Sequence, residues 1–423
     1  MTWTRVNAVT TFVLSILVSG VCVADDLRTE YGGHLKGRYT FQSFPDDSIF
    51  NDVTGSTAHD GIAELRLKLN LEKGPWRFDG AYQMFALYGD QVEYSRDLPP
   101  AFAFFSGRLP DDRRRLFDLT DVIVDKNKTV VVQRLDRISV GYTGEKAVLR
   151  FGRQTISWGN GMFFAPMDIV NPFDPAAVDT EYKIGDDMLL GQYLFDSGDD
   201  AQAAVVFRRD LITGDVDKDS STAAFKYHGG AGQGEYDVLL AQNYSDPMVA
   251  LGGNVSLGGA VVRGDLVVSD TSTEDVIASF VANYSYSWVM GGKNTSGAIE
   301  YFFNGYGQRK GDYSDLGENE ELLKRIARGE LFTLGRHYIA GSLMIEMTPL
   351  WQLTPNVFTN LSDGSALAQV VTQHSVSDNI TLLGALNVPL GPSGTEYGGL
   401  PAGVPDKYLS YDLSAFLQFA WYF

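Results

Sequence analysis

Residues 409–423 alternate without a break to the end of the chain. One face carries Leu409, Tyr411, Leu413, Ala415, Leu417, Phe419, Trp421 and Phe423. The other carries Ser410, Asp412, Ser414, Phe416, Gln418, Ala420 and Tyr422. A period of two is a β-strand with one greasy face. In a soluble sandwich such a strand would be an edge with nothing to cover it. A final aromatic instead suits the interfacial girdle of a membrane-spanning barrel. The expected fold is therefore all-β, a single transmembrane antiparallel β-barrel.

The same grammar recurs upstream. Glu64-Leu65-Arg66-Leu67-Lys68-Leu69-Asn70-Leu71 sets leucines against polar groups. Leu35, Gly37, Tyr39 and Phe41 alternate with Lys36, Arg38, Thr40 and Gln42. Tight turns are read at Lys73-Gly74-Pro75, Thr143-Gly144-Glu145, Gly291-Gly292-Lys293-Asn294 and Thr348-Pro349. Long polar connections fall between them, at 43–59, 89–128, 158–185, 211–220, 307–330 and 390–406. Short periplasmic turns and long extracellular loops are the outer-membrane pattern. Counting back from the last strand, every long segment lies outside if there are about 18 strands. That count needs a hairpin at Gly258-Gly259; 16 strands is the alternative.

The N-terminus reads as an export signal. Arg5 precedes an apolar stretch centred on Phe12-Val13-Leu14-Ser15-Ile16-Leu17-Val18, and Cys22-Val23-Ala24 supplies small residues before Asp25. The expected division is a signal peptide at 1–24 and a barrel at 25–423. A lipid anchor on Cys22 is the lesser reading, since Val21 and Ser19 suit it poorly. Cleavage at Ala24 would remove Arg5 and the only cysteine, so neither disulfides nor thiolate metal sites are expected. The acidic balance, -19 over the whole chain, argues against a nucleic-acid partner.

The loops carry the functional signal. The 28 residues at 158–185 are rich in aromatics and prolines, including Pro166-Met167-Asp168 and Asn171-Pro172-Phe173-Asp174-Pro175. A loop of this composition is expected to leave solvent, and proline lowers the entropy lost on ordering it. It is expected to fold into the barrel and narrow it, with Gln154, Trp158, Asn160, Asp168, Asn171 and Asp174 as candidate constriction residues. A lid over the outer mouth is the alternative. Asp111-Asp112-Arg113-Arg114-Arg115 reads as a solvated or lipopolysaccharide-facing run. Residues 318–328 read as a short helix that docks on another loop through Leu322, Leu323 and Ile326.

Residues opposite the greasy face should point into the lumen. These are Lys36, Arg38, Glu64, Arg66, Lys68, Arg77, Asp79, Arg150, Arg263, Asp265, Glu300, Arg336 and Glu346, eight basic against five acidic. A basic-leaning pore below acidic loops would favour anionic or polyhydroxylated solutes through field focusing. Arg153 is awkward, because strict alternation places it outward beside Phe151. It is expected at the headgroups or after a bulge.

No catalytic constellation emerges. A barrel protease or phospholipase needs carboxylates or Ser with His at the outer rim or wall. His34, His228, His337 and His374 are scattered, and His59-Asp60 reads as a solvated loop pair. Asp215, Asp217 and Asp219 begin like a calcium loop, but Ser220 and Lys226 stand where Gly and the closing Glu belong. No enzyme activity, metal or cofactor is therefore expected.

Gly152-Arg153-Gln154, Trp158-Gly159 and Pro166-Met167-Asp168-Ile169-Val170-Asn171-Pro172, with Glu300-Tyr301-Phe302-Phe303-Asn304-Gly305, resemble a group of Gram-negative outer-membrane porin-like proteins. Alginate-export porins are a more distant likeness. The last strand resembles the signal read by barrel-assembly machinery. The resemblance implies an outer-membrane channel for small solutes, with membrane lipid and lipopolysaccharide as neighbours, and leaves substrate and oligomeric state open. Two alternatives stand beside it. One is a facilitator for hydrophobic compounds, with Ala101-Phe102-Ala103-Phe104-Phe105 and Phe163-Phe164 as a greasy portal. The other is a structural barrel sealed by its loops.

Overall fold

A computed structural model describes residues 27–97, 110–273, 276–311 and 313–423. The expected signal cleavage and the 101–105 aromatic run lie outside these. The strands are β1 (Arg28–Ser43), β2 (Thr57–Lys73), β3 (Trp76–Gly89), β4 (Thr120–Lys126), β5 (Thr129–Thr143), β6 (Ala147–Gln154) and β7 (Asp186–Leu194). Then follow β8 (Asp200–Val206), β9 (Thr222–Ala231), β10 (Gly234–Asn243), β11 (Asp246–Leu257), β12 (Ala260–Asp270), β13 (Val276–Met290) and β14 (Lys293–Phe303). The wall continues with β15 (His337–Thr348), β16 (Trp351–Asn360), β17 (Ser365–Ser377) and β18 (Ile380–Leu390), and ends with β21 (Leu413–Tyr422). The short β19 (Leu400–Pro401) and β20 (Tyr408–Leu409) pair with each other outside the wall.

Pairing is antiparallel throughout the wall, and β21 closes on β1. Eighteen strands form the closed barrel, and β4 adds a further short strand on β5. Closure leaves no edge, which a hydrocarbon environment demands of every strand. The Gly258-Gly259 hairpin exists: both residues have positive φ (56° and 90°), as a two-residue turn of the primed type requires. It restores the parity that places the long segments on one side.

The alternation sorts side chains as a bilayer would. On β21, Leu417 is 58% and Trp421 41% exposed, whereas Gln418 and Ala420 are each 3% exposed. Large apolar residues thus cover the outside and polar ones are buried within. The greasy C-terminal strand is shorter than the alternation indicated. It begins at Leu413; Leu409 and Tyr411 instead pack on Phe44, Phe50 and Tyr94 in a loop cluster. A local alternating pattern cannot show where the chain leaves the ladder to meet a loop.

Other expectations shift similarly. Segment 89–128 is not a plain loop, since it contains a helix at Asp90–Asp97 and β4. His59 and Asp60 lie within β2, on opposite faces, and Asp60 accepts the Gln91 N–H at 2.8 Å. The predicted helix is present at Glu320–Arg328, capped by Asn319 and by Gly329 in the left-handed region. Its Leu322 and Ile326 pack on Tyr313, Leu334 and Leu400.

Candidate functional site

The chain leaves β6 at Gln154, whose amide reaches the Met188 carbonyl at 3.3 Å, and re-enters the wall at Asp186. Between them it runs inside the barrel. Ile156, Trp158, Met167, Ile169 and Val170 pack on an apolar patch of the inner wall. That patch includes Met188, Leu190, Val206, Leu239, Met248 and Val267. Burying such side chains contributes roughly 1.5–3 kcal/mol each. Trp158 satisfies its indole N–H on Gln202 at 2.9 Å.

Inner-wall carboxylates then hold the loop backbone. Asn160 donates its main-chain N–H to Asp265 at 2.7 Å and its amide to Asp265 at 2.8 Å and Asp237 at 3.1 Å. Gly159 makes this approach feasible: its φ is +98°, and a Cβ there would lie 2.9 Å from Asp265 Oδ2. Next, Met162, Phe163 and Phe164 donate successive N–H groups to Glu300 at 2.6, 2.9 and 2.7 Å. The Phe164 ring stacks on Phe302 at 4.8 Å, and Phe163 meets Phe358 edge-on at 5.7 Å. The Phe163-Phe164 part of the greasy portal is thus docked on the inner wall.

The loop then crosses to the other wall. Gln369 donates to the Ala176 carbonyl at 2.9 Å. Asp179 and Glu181 each meet Lys36 Nζ at 2.8 Å, and Gln418 and Tyr422 donate to the same two carboxylates at 2.8 Å. The Tyr182 hydroxyl accepts from Lys68, and its ring lies 4.2 Å from the Arg66 guanidinium. Lys183 returns to Asp168 at 2.6 Å and to the Ile156 carbonyl at 2.6 Å, fastening the loop's base. Burial pushes the Asp168 carboxyl up to about 6 even beside Lys183. Lys36 on β1 and Asp265 on β12 stand ten wall strands apart in an eighteen-strand ring, nearly diametrically opposite. One loop therefore spans the lumen.

Beside its far end lies a basic row. His34, Arg66, Gln83 and Arg134 are in register across β1, β2, β3 and β5. A register shift at Ala81/Tyr82 leaves Asp136 opposite no residue of β3. Arg66, Arg134 and Arg137 all converge on this one carboxylate. Glu64 accepts from Gln83 at 2.7 Å and meets His34 at 3.0 Å. Among the described residues, Arg38 Nε and two nitrogens of Arg66 are buried without a hydrogen-bond partner.

Other candidates lie elsewhere. Arg77 pairs with Asp79 and Glu72 next to the Gly74-Pro75 turn. Glu346 accepts from Asn294 at 2.7 Å near the Thr348-Pro349 turn. Arg150 opposes Gly141 and Leu190 on β6, and Arg263 donates to Ser285 at 3.0 Å. Arg336 precedes β15 and binds the Gly305 and Gly307 carbonyls at the rim, so it is not a strand residue. Asp174 caps the Ala176 N–H at 2.8 Å, and Asn171 donates to Ile184 at 3.3 Å.

Arg153 takes neither expected course. The β6 ladder has no register shift, and Arg153 opposes Asp187. Asp187 at 2.9 Å and Asp112 at 3.0 Å enclose it, so the acidic-basic run at 111–115 is a clamp on the rim. Sequence reading missed Arg134 and Arg137. Val130 and Val132 mimic a lipid face but are buried against Val92, and Arg137 follows the bulge.

Known structures share this architecture. A BenF-like porin from Pseudomonas fluorescens Pf-5 superposes with a TM-score of 0.53 at 8% identity, over 93% of this chain and 98% of that one. The outer membrane protein opdK from Pseudomonas aeruginosa gives 0.51 at 9% identity, over 94% and 98%. OccAB2 from Acinetobacter baumannii gives 0.53 at 10% identity, over 94% and 98%. The fold is that of the outer-membrane porins. No family model and no curated protein matches the sequence.

Proposed function

We propose that this chain is an outer-membrane channel for small hydrophilic solutes, with loop 155–185 as its constriction. The observation that carries the reading is the loop's attachment to both walls, through Asp265 and Glu300 on one side and Lys36 on the other. A segment tied at both ends across a barrel sets a fixed aperture, as pre-organised pores require.

The lumen charge favours anions. Asp265 and Glu300, counted as lumen acids, turn their oxygens to loop N–H groups, so the loop lies between them and a passing solute. Lys36 faces two carboxylates, Asp179 and Glu181, which leaves one negative charge on the loop to set against the arginines. Arg66, Arg134 and Arg137 share one Asp136, and Arg38 adds a further cation on the same wall. A low-dielectric passage lined by that surplus attracts anionic or polyhydroxylated solutes. Insertion through the C-terminal strand by barrel-assembly machinery, and lipopolysaccharide around the rim, belong to the same proposal.

Planar-bilayer recording tests this. Steady conductance with a reversal potential showing anion preference is expected. Absent conductance would favour a loop-sealed structural barrel, and clear cation preference would overturn the charge argument. Liposome swelling with sugars, organic acids and fatty acids separates hydrophilic solutes from hydrophobic ones.

A further inference from the structure

At the outer mouth, six separate stretches of the chain line a cavity of about 140 Å³. Arg113, Arg114, Arg115, Arg208 and Arg328 line it, against only two carboxylates, Asp111 and Asp186. We propose that this cavity is a binding site for a small multiply charged oxyanion, such as phosphate or a short dicarboxylate. It deepens the channel reading by placing a capture point before the constriction, and in that respect rests on it.

The carboxylates are already engaged. Asp111 binds Arg113 at 2.8 Å. Asp186 binds Arg208 at 3.0 Å and faces Arg115 at 3.8 Å; Arg115 also meets Asp112 at 2.8 Å. Arg114 and Arg328 make no ion pair among the described residues, and Asp210, which feels the Arg114 charge, accepts from Ile212 and Thr213. Arg328 lies 3.8 Å from the Tyr244 ring centre, and Arg208 lies 4.7 Å from it. Arg328 Nη1 is buried and has no hydrogen-bond partner among the described residues. A buried guanidinium N–H without an acceptor is costly, and an oxyanion supplies the missing one. Tyr244 holds the left-handed backbone region at φ 55°, a conformation disfavoured for an aromatic residue and recurrent at binding sites. The cavity has room for phosphate or a four-carbon diacid. Guanidinium forks match such planar or tetrahedral oxygen sets.

The test is titration calorimetry on the full chain in detergent, with inorganic phosphate and with succinate as probes at low ionic strength. Expected is saturable binding of at least one, weakened tenfold or more in both Arg328→Gln and Arg114→Gln. Lys218→Gln, on the same rim, should bind as the parent does. Arg114 is the safeguard, because its side chain makes no hydrogen bond or ion pair among the described residues whose loss would unfold the rim. No binding, or binding untouched by both variants, overturns the proposal. So does binding of lipopolysaccharide phosphates with none of the free anions. Anion binding in a barrel that fails to conduct keeps this site and removes the channel reading. Conductance without binding does the reverse.

Discussion

Glu300 Oε1 accepts the main-chain N–H of Phe164 at 2.7 Å, so one wall carboxylate fixes the middle of the lumen loop. Met162 and Phe163 depend on the same side chain. Glu300→Ala would leave three N–H groups without their acceptor, at about 1–3 kcal/mol for each that stays buried. The wall ladder is untouched, so the barrel should still fold. Single-channel conductance is expected to rise several-fold, with noisier current. Conductance equal to the parent's would show that the loop holds its place without Glu300.

Gly159 offers a gentler perturbation. Gly159→Ala places a methyl 2.9 Å from Asp265 Oδ2 and 3.1 Å from Met167 Cβ, at a φ of +98°. The strain costs about 1–3 kcal/mol. Faster protease cleavage within 155–185 is expected, with the heat-modifiable barrel band on gels unchanged. Cleavage at the parental rate would mean that the backbone can shift to admit the methyl.

Selectivity should respond to two substitutions in the same direction. Arg137→Gln removes one of three guanidiniums around Asp136, and Lys36→Met frees Asp179 and Glu181 into the passage. Both are expected to move the reversal potential in a salt gradient toward cations, Lys36→Met by more. The shift should shrink as salt rises, since screening shortens to ~3 Å at 1 M. A shift toward anions in either variant contradicts the assigned lumen charge.

A pH dependence is built into the 391–412 loop. The Glu396 carboxylate accepts from Leu334 N–H at 2.9 Å, from Asn360 at 2.7 Å and from the Tyr338 hydroxyl at 2.5 Å. Burial, with Asp363 alongside, pushes its carboxyl up to about 7. The folded loop therefore prefers the protonated acid. That contribution is complete below the ordinary carboxyl value of about 4.3 and is lost as pH rises through 7. Part of the residue meets solvent, so ~2 kcal/mol is a fair size for the loss. Hydrogen exchange in 391–412 should be slower at pH 5 than at pH 8 after correction for intrinsic rates. Glu396→Gln should flatten that difference, and an equally large difference in the variant would assign it to another group.

Much of the architecture was legible because the bilayer imposes a local rule. A strand with lipid on one side must alternate, so the class follows from spacing, whereas the count of 18 rather than 16 hung on the Gly258-Gly259 hairpin that the structure contains. The rule also misleads where a wall residue is covered by protein instead of lipid. Val130 and Val132 look outward by type, yet they are buried inside, and the Arg134 and Arg137 beside them were hidden. Leu409 and Tyr411 extend the alternation of β21 but belong to a loop cluster.

The pattern of residues by itself determined the barrel, its greasy exterior and the presence of one loop too apolar to remain in water. Tertiary structure decided what the charges mean. Asp265 and Glu300 hold loop amides, Arg153 clamps a rim, and Arg66, Arg134 and Arg137 share one acid. Those pairings join residues up to 138 positions apart, as Met162 and Glu300 are. A charge acts through its distance to partners, and distance across a lumen is fixed by closing the ring and seating the loop, which no local spacing records.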